Sequence, residues 1–264
     1  MQLGNARILL TGAAGGLGRE LAMQLSEAGA YLLLAGRDVA RLEALKGELG
    51  HKSSIVCADL TTSEGVQATA QAAQIAGINV VINNAGASAF GLVERQAWQS
   101  IEQVLETSLA APLRLTHALL PWLRAQPQAA IVNVGSAFGS LPFPGFAAYS
   151  AAKAGLRGFS QALRRELADT QVSVIHISPR AIRTPMNSDA VNALNRALNT
   201  PSDEAHDVAR QIVRALKCNA TELQIGFPER IFTWLNGFAP SLIDRALVGK
   251  LSTVKEHAQP RVSK

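Results

Sequence analysis

Short apolar runs alternate along the chain with segments in which apolar residues recur every three or four positions. Apolar runs without polar alternation are typical of parallel strands that are covered on both faces, and the longer period predicts helices. The apolar runs lie at residues 7–10, 31–35, 54–57, 78–82, 130–134, 172–177 and 222–225. The pattern predicts an α/β fold, a doubly wound parallel sheet of about seven strands with helices on both faces.

Two of the predicted helices carry clear end signals. The first helix ends where Gly29 can serve as a C-terminal cap. A later helix begins with Thr200 as N-cap, Pro201 at the first position and Asp203 in the first turn, and it is expected to extend to Lys217. The apolar stripe of the first helix consists of Leu17, Leu21, Leu25 and Ala28.

The composition indicates one folded domain with a small-molecule ligand. A chain of 264 residues that is 48% apolar can bury a substantial core. Its 25 Lys and Arg residues against 20 Asp and Glu give a net charge of +5. This surplus is dispersed, without a basic run, so we expect no nucleic-acid partner, whereas an anionic small ligand would fit.

The cysteines and the N-terminus predict a cytoplasmic protein. Cys57 and Cys218 lack the spacing of metal ligands and form no disulfide framework, so we expect a reducing compartment, no metal site and two buried thiols. Residues 1–10 show no export signal, and the longest uncharged stretch, 125–152, is interrupted by prolines.

A glycine-rich turn separates the first predicted strand from the first predicted helix. It reads Thr11-Gly12-Ala13-Ala14-Gly15-Gly16-Leu17-Gly18. Backbone N–H groups and a helix N-terminus at such a turn can hold a pyrophosphate, and glycine lets the backbone approach it. The spacing fits TGxxxGxG, through Gly16 and Gly18, and also TGxxGxxG, through Gly15 and Gly18. A tight turn without a ligand is the simpler alternative.

A second motif lies after the fifth predicted strand. Tyr149 and Lys153 are four residues apart on a predicted helix, which places the phenol and the ammonium on one face. Ser136 precedes them, directly after that strand. A surface Tyr–Lys pair is the alternative, but the position of the motif relative to the strand and the glycine-rich turn favours a functional site.

These motifs together resemble the short-chain dehydrogenase/reductase family, in its shorter single-domain branch. The landmarks, in order, are the segment 11–18, Asn83-Asn84-Ala85-Gly86, Ser136, and Tyr149 with Lys153. The resemblance covers about residues 5–226 and implies a Rossmann-type fold. We therefore expect a single catalytic domain over 1–228 and an amphipathic extension over 229–264 that is not an independent domain.

The resemblance implies that Tyr149 is the general acid or base and that Ser136 hydrogen-bonds the substrate oxygen. Lys153 would anchor the nicotinamide ribose and lower the pKa of Tyr149. One ammonium at ~4 Å supplies about 4 kcal/mol, which is enough to lower the pKa of a phenol from about 10 to near 7. Ser108 is the fourth predicted catalytic residue, because it stands where the family usually carries an asparagine of the proton relay. Arg180 replaces the usual glycine after a proline. Arg180 would restrict the backbone or place a positive charge near the cofactor or an acidic substrate group.

The end of the second strand predicts the cofactor. Gly36 stands where NAD-preferring relatives carry an acidic residue, and Arg37 follows, so we predict that NADP(H) is preferred over NAD(H). The alternative is that Asp38 binds the ribose. Asp59 matches the residue that meets the adenine, or it caps a helix. The predicted cofactor contacts are Thr11, Gly12, Ala14, Gly15, Gly16, Leu17, Gly18, Arg37, Asp59, Leu60, Asn83, Ala85, Gly86, Tyr149, Lys153, Pro179, Ile182 and Thr184.

The loop between Ser136 and Tyr149 indicates the substrate. It carries three phenylalanines and no charge, which favours an apolar pocket, although packing of the loop onto the core explains it nearly as well. The predicted substrate contacts are Phe138, Phe143, Phe146 and Met186.

The segment after the last predicted strand is apolar at every third or fourth position, with basic residues between. It would pack on the core or on another subunit, close the pocket, or lie on an anionic membrane surface. The whole pattern predicts an NADP(H)-dependent oxidoreductase that interconverts an apolar ketone and a secondary alcohol, as a homodimer or homotetramer. The alternative is a non-catalytic NADP(H)-binding sensor or scaffold that associates with a membrane surface through this segment.

Overall fold

The computed structural model describes residues 1–258, apart from the side chain of Pro228. The strands are β1 (Arg7–Thr11), β2 (Tyr31–Gly36), β3 (Ser53–Cys57), β4 (Val80–Asn83), β5 (Ala129–Val134), β6 (Val172–Ser178), β7 (Ile182–Arg183), β8 (Asp203–Glu204) and β9 (Glu222–Gln224). The helices are α1 (Gly16–Glu27), α2 (Val39–Leu49), α3 (Ser63–Ile75), α4 (Trp98–Leu105), α5 (Ala111–Arg124), α6 (Ala147–Glu166), α7 (Asp189–Ala197), α8 (Ala205–Lys217), α9 (Phe227–Phe238), α10 (Pro240–Val248) and α11 (Leu251–His257).

Seven of the strands form one parallel sheet in the order β3-β2-β1-β4-β5-β6-β9. The order reverses between β1 and β4, and ligands of open α/β sheets bind beyond the carboxyl ends of the strands at such a reversal. The fold class predicted from the sequence, a doubly wound sheet of about seven strands, is confirmed. β7 and β8 form a separate two-residue parallel pair.

Helices cover both faces of the sheet, as the continuous apolarity of the strands predicts. Alternate residues of β1 point to opposite sides, so Ile8 and Leu10 join one apolar cluster and Leu9 joins the other. Helices α1, α2 and α8 pack on the first side, and α3, α5 and α6 pack on the second. The stripe of α1 is buried as expected, and Gly29 follows its end with φ +88°.

Three details differ from the predictions. The helix expected to begin at Thr200 begins at Ala205, because the backbone of 203–204 pairs with β7 instead. Cys57 is exposed, since β3 is an edge strand, and Cys218 is exposed because it caps the end of α8.

The chain after β9 forms α9, α10 and α11. Ile243 of α10 is buried, and Val254 of α11 joins a cluster with Phe146 and Leu194. No helix within residues 1–258 is long and apolar enough to cross a membrane. The predicted extension reaches to 264, and its last six residues lie outside the described part of the chain.

Candidate active site

The glycine-rich turn connects β1 to α1 through a backbone that leaves no room for side chains. Gly12 has φ +63°, a conformation that favours glycine. A Cβ at Gly18 would lie 2.1 Å from the carbonyl oxygen of Gly12. The residue that caps α1 is Gly15, which offers no side-chain acceptor to the first turn. The N–H groups at the start of α1 are therefore left for an anion, as a bound pyrophosphate requires.

The end of β4 fixes this turn in place. The hydroxyl of Thr11 accepts hydrogen bonds from the N–H groups of Asn84, at 3.0 Å, and Ala85, at 2.9 Å. The Asn84 amide in turn donates to the carbonyl oxygen of Thr11. Asn83, predicted to contact the cofactor, turns its buried side chain the other way and donates to Asn133 at 2.8 Å. Only the backbone of Asn83 remains for the predicted contact.

The end of β2 places charged groups beside the turn. Arg37 is exposed, whereas the Asp38 carboxylate accepts the N–H of Arg41 at 3.1 Å and so caps α2. The Arg41 guanidinium donates to the carbonyl oxygen of Ala14 at 2.5 Å, which places a cation at the glycine-rich turn.

Asp59, at the end of β3, is held by its own turn. Its carboxylate accepts the N–H and the hydroxyl of Thr61, at 3.0 and 2.8 Å. The Thr61 N–H, more than any other group, lowers the pKa of Asp59. Thr62 rather than Asp59 caps α3.

Ser136, Tyr149 and Lys153 share one site. Lys153 is buried, and its Nζ donates to the carbonyl oxygen of Val134 at 2.8 Å, so the ammonium is held against the end of β5. The Ser136 hydroxyl accepts the N–H of Phe138 at 3.2 Å, which leaves its own proton free to be donated. Lys153 Nζ lies 5.7 Å from the centre of the Tyr149 ring. The structure therefore brings together three of the four predicted catalytic residues, Ser136, Tyr149 and Lys153.

The pKa values of this site differ from the simple calculation made from the sequence. Burial raises the pKa of Tyr149, and the Ser136 hydroxyl beside it works in the opposite direction. Burial also lowers the pKa of Lys153 to about 8. Desolvation of the phenolate thus opposes the lowering of the Tyr149 pKa that the Lys153 ammonium is expected to cause.

Residues from three loops complete the site. A Cβ at Gly86 would lie 3.7 Å from Lys153 Nζ, so this glycine borders the Lys153 ammonium. A Cβ at Gly16 would lie 2.9 Å from the side chain of Thr184, so the segment after β6 covers the glycine-rich turn. The Pro179 carbonyl accepts the N–H that follows Ser136, at 2.7 Å. Leu17, Leu60 and Ile182 instead pack with the apolar core.

The three phenylalanines of the loop before Tyr149 pack against one another. Phe138 stacks on Phe143 with ring centres 5.5 Å apart, and Phe146 lies 5.1 Å from Phe138 and 5.0 Å from Phe90. An open cavity of about 440 Å³ includes Phe90 in its lining, together with Met186 and Val191 and with polar residues such as Arg95 and Gln96. Of the predicted substrate contacts, Met186 lines this cavity, whereas the other three form the aromatic cluster beside Tyr149.

Comparison with known proteins identifies the family. Residues 6–195 match the family model described as short chain dehydrogenase. The chain belongs to the short-chain dehydrogenase family. The resemblance recognised in the sequence is thereby confirmed.

Relatives within the short-chain dehydrogenases match over most of the chain. Dehydrogenase/reductase SDR family member 7B from Mus musculus is 33% identical, over 94% of this chain and 82% of its own length. The 3-oxoacyl-(acyl-carrier-protein) reductase of Vibrio cholerae is 32% identical, over 70% of this chain and 77% of its own.

Solved structures of the family superpose on this chain. A short-chain dehydrogenase/reductase from Burkholderia phymatum, in complex with NAD, has a TM-score of 0.83 at 22% identity and covers 92% of this chain and 96% of its own. The closed form of serine dehydrogenase, in complex with NADP⁺, has a TM-score of 0.76 at 27% identity and covers 83% and 93%. Family members of this fold thus carry either nicotinamide cofactor.

Ser108, where this short-chain dehydrogenase departs from the family's usual asparagine, is buried in a π-helical turn between α4 and α5. Its hydroxyl donates to the carbonyl oxygen of Ala87 at 2.8 Å and accepts the N–H of the same residue at 3.0 Å. Ser108 therefore connects the loop after Gly86 to the helix, and its hydroxyl already acts as both a donor and an acceptor.

Arg180, the other departure, has its charge paired. It donates two hydrogen bonds to Asp203, at 3.0 and 2.6 Å, and lies 3.6 Å from a Glu229 oxygen. The expectation that Arg180 places a free positive charge near a ligand is corrected, because two carboxylates neutralise it. Arg180 instead joins β8 to α9, two segments distant in the sequence.

A buried polar network under the site was missed by the sequence analysis. Asn133 donates to Ser160 at 2.9 Å, and the Ser160 oxygen lies 3.2 Å from His176 Nδ1. Burial lowers the pKa of His176 to about 4, so the ring is neutral at pH 7. The histidine between the apolar residues Ile175 and Ile177 of β6 is the one signal that could have indicated this network.

Proposed function

We propose that this short-chain dehydrogenase is an NADP(H)-dependent oxidoreductase that interconverts a ketone and a secondary alcohol on an apolar substrate. The observation that supports it most is the grouping of Ser136, Tyr149 and the buried Lys153 beside a glycine-rich turn that no side chain caps. A purely nucleotide-binding role would require the turn but not the complete set of proton-handling groups.

The residues divide the chemistry between them. The nicotinamide, when bound, supplies or accepts the hydride. Ser136 would donate a hydrogen bond from its hydroxyl to the substrate oxygen and keep its proton, since the N–H of Phe138 already fills one of its acceptor positions. Tyr149 transfers the proton to that oxygen during reduction, since a phenol is protonated at neutral pH. Lys153, held by the Val134 carbonyl, presents its remaining protons to the ribose and to Tyr149.

The chain offers a matched control for the role of Tyr149, because it contains two tyrosines. Tyr149→Phe should lower turnover by roughly 10² to 10⁴-fold while the Kd for NADPH changes only a few-fold. Tyr31→Phe removes a hydroxyl that bonds Ser54 at 2.7 Å, away from the site, and should keep its turnover. Both are measured as NADPH oxidation with a panel of apolar ketones. Equal turnover by Tyr149→Phe and the wild type would refute the role, and a wild type inactive on the whole panel would favour the sensor or scaffold.

The preference for NADP(H) is supported by the charges at the end of β2. Asp38, the competing ribose ligand, is engaged in capping α2, while Arg37 is exposed and would bind the 2′-phosphate. The Arg41 guanidinium at Ala14 adds a second cation to the same edge.

A single substitution should reverse this preference. A Cβ at Gly36 would meet the nearest atom, in Leu42, at 3.5 Å, an ordinary contact, so Gly36→Asp should fold. The new carboxylate would repel the 2′-phosphate and accept the ribose hydroxyls. We expect the ratio of the two dissociation constants, NADH over NADPH, to fall by tenfold or more, roughly 1.4 kcal/mol. Tighter binding of NADH than NADPH by the wild type would contradict the assignment.

The substrate is proposed to enter the cavity of about 440 Å³, where Phe90, Met186 and Val191 supply apolar surface. Phe90 connects this cavity to the aromatic cluster through Phe146, and Phe138 of that cluster lies edge-on to Tyr149 with ring centres 6.4 Å apart. The similarity to a 3-oxoacyl reductase supports a carbonyl group on an aliphatic chain as the first substrate class to test.

We also infer that residues 1–228 are the catalytic domain and that 229–264 extend it, since Ile243 and Val254 are buried rather than forming a core of their own. Two free, exposed thiols support the cytoplasm as the compartment. A homodimer or homotetramer is the assembly that the family suggests.

A further inference from the structure

Helix α9 is amphipathic, but its polar face is turned towards the protein and its apolar face towards the solvent. The polar side chains Glu229, Thr233 and Asn236, spaced four and three residues apart, face the protein. Glu229 lies 3.6 Å from Arg180, and Asn236 donates to the carbonyl oxygen of Ser140 at 3.0 Å. These two polar contacts connect the inner face of α9 to Arg180 and to the loop that carries Ser140.

The opposite side of α9 is an exposed apolar stripe. Its four residues are spaced by four, three and four positions and therefore share one helix face. They are Phe227, Ile231, Trp234 and Phe238, which are 76%, 50%, 65% and 78% exposed. Trp234 and Phe238 stack on each other with ring centres 5.3 Å apart. On α10, which packs beside α9, Leu242 and Val248 are also exposed, at 55% and 65%.

The charges around the stripe are mainly positive. Arg230 lies one turn before Trp234, and Arg245 lies between Leu242 and Val248 at three-residue spacing, so both cations border apolar surface. Lys250 follows α10. Among residues 227–250, the exposed acid is Asp244, because Glu229 faces inward to Arg180.

We propose that α9 and α10 bind the surface of a membrane that contains anionic phospholipids. Aromatic side chains with a border of Arg and Lys fit the boundary between acyl chains and acidic headgroups. The helices have twelve and nine residues, a size that lies on a bilayer rather than crossing it. A second copy of the chain fits less well, since two-fold pairing would gather both sets of these cations around one interface.

The surface adjoins the proposed substrate site. Asn236 holds Ser140, in the loop between Ser136 and Tyr149, and Val254 of α11 packs with Phe146 of the aromatic cluster. An apolar substrate dissolved in the membrane would therefore reach the site from the docked face. This consequence rests on the proposed function, whereas binding to the membrane does not.

Co-sedimentation with lipid vesicles tests the proposal. We expect the full-length wild type to bind vesicles that contain phosphatidylglycerol at low salt and to bind pure phosphatidylcholine vesicles at least tenfold more weakly. Trp234→Glu/Phe238→Glu should lose binding by roughly tenfold or more, because two anchors become anions. Arg230→Gln should weaken binding about fivefold.

Trp98→Glu is the matched control. Trp98 is 64% exposed, close to the value for Trp234, but it lies on α4. This variant should bind vesicles like the wild type, and thermal unfolding monitored by circular dichroism checks that each variant folds.

Three results would overturn the proposal. The first is the absence of wild-type binding to anionic vesicles, and the second is equal binding by the double variant and the wild type. The third is sedimentation velocity that shows, without lipid, an oligomeric wild type and a dissociated double variant, because the stripe would then be a contact between subunits. Turnover of a water-soluble ketone, measured on the same samples, tests the proposed function separately.

Discussion

Helices α1 and α9 have the same length, twelve residues, and both carry an apolar stripe with helical spacing. In α1 the stripe is buried, with Leu21 and Leu25 fully covered by the sheet. In α9 the stripe is exposed, and polar residues make the contacts with the protein. The comparison shows that periodicity reveals that a helix has an apolar face, but not whether that face is covered by its own chain.

The difference also separates two kinds of work. The apolar face of α1 contributes to folding because it is buried. The N-terminus of the same helix faces the proposed cofactor site. The apolar face of α9 contributes little to folding, and a group of exposed apolar side chains on one helix face indicates a binding surface. We therefore expect substitutions on the two stripes to affect different properties.

The largest expected contrast is in stability. Leu21→Ala should lower the free energy of unfolding by about 2 to 5 kcal/mol, because it leaves a cavity between α1 and the sheet. Phe238→Ala, on the exposed stripe, should change it by no more than about 0.5 kcal/mol. Urea unfolding monitored by circular dichroism measures both. A loss of several kcal/mol in Phe238→Ala would mean that the stripe is covered by the protein itself.

The second prediction concerns the polar network of Asn133, Ser160 and His176. These side chains are fully buried, whereas the polar side chains of α9 are partly exposed. Burial lowers the pKa of His176 to about 4, below its ordinary value of 6.5. A depressed pKa means that the unfolded chain binds the proton first, so the stabilisation is complete above about pH 6.5 and is lost as the pH falls towards 4.

The loss should amount to roughly 2 to 3 kcal/mol between pH 7.5 and pH 4.5. His176→Asn, which keeps a polar group for Ser160, should show a correspondingly smaller difference between these two pH values. Denaturant titrations at both pH values provide the measurement, and an unchanged difference in the variant would show that His176 is not the titrating group.

The smallest contrast compares one glycine in each helix. At Gly18 in α1 a Cβ would lie 2.1 Å from the Gly12 carbonyl oxygen, whereas at Gly237 in α9 nothing lies within 4 Å. Gly18→Ala should destabilise the protein by about 1 to 3 kcal/mol and weaken NADPH binding, since the turn must open. Gly237→Ala should stabilise it by about 0.5 to 1 kcal/mol through helix propensity. Opposite signs in thermal unfolding are the expected outcome, and destabilisation by Gly237→Ala would place that face against another surface.

Much of the fold was predictable because its signals are local. The strands, the α1 stripe and the glycine-rich turn are each specified by residues within a few positions of one another, as are Tyr149 and Lys153. The family landmarks then brought Ser136 into the same site. In a doubly wound fold, helices cover both faces of the sheet, so a local apolar pattern is enough to predict that a strand or a helix face is buried.

Other features depend on contacts between distant residues. Arg180 is neutralised by Asp203 and Glu229, which lie 23 and 49 positions away by their numbering, so the sequence offers no pattern for the pairing. Asn83 and Asn133 meet because β4 and β5 are neighbours in register. The orientation of α9 follows from Ser140 and Arg180, and no property of the helix alone determines it.

The measurement that tests the division of roles most directly is a reciprocal comparison of two variants. Turnover of a water-soluble ketone and binding to anionic vesicles are determined for wild type, Tyr149→Phe and Trp234→Glu/Phe238→Glu. We predict that Tyr149→Phe binds vesicles like the wild type but has lost turnover, and that the double variant retains turnover but has lost vesicle binding. Retained turnover in Tyr149→Phe, or loss of both properties in a folded double variant, would contradict the assignment of catalysis to Tyr149 and of membrane binding to α9.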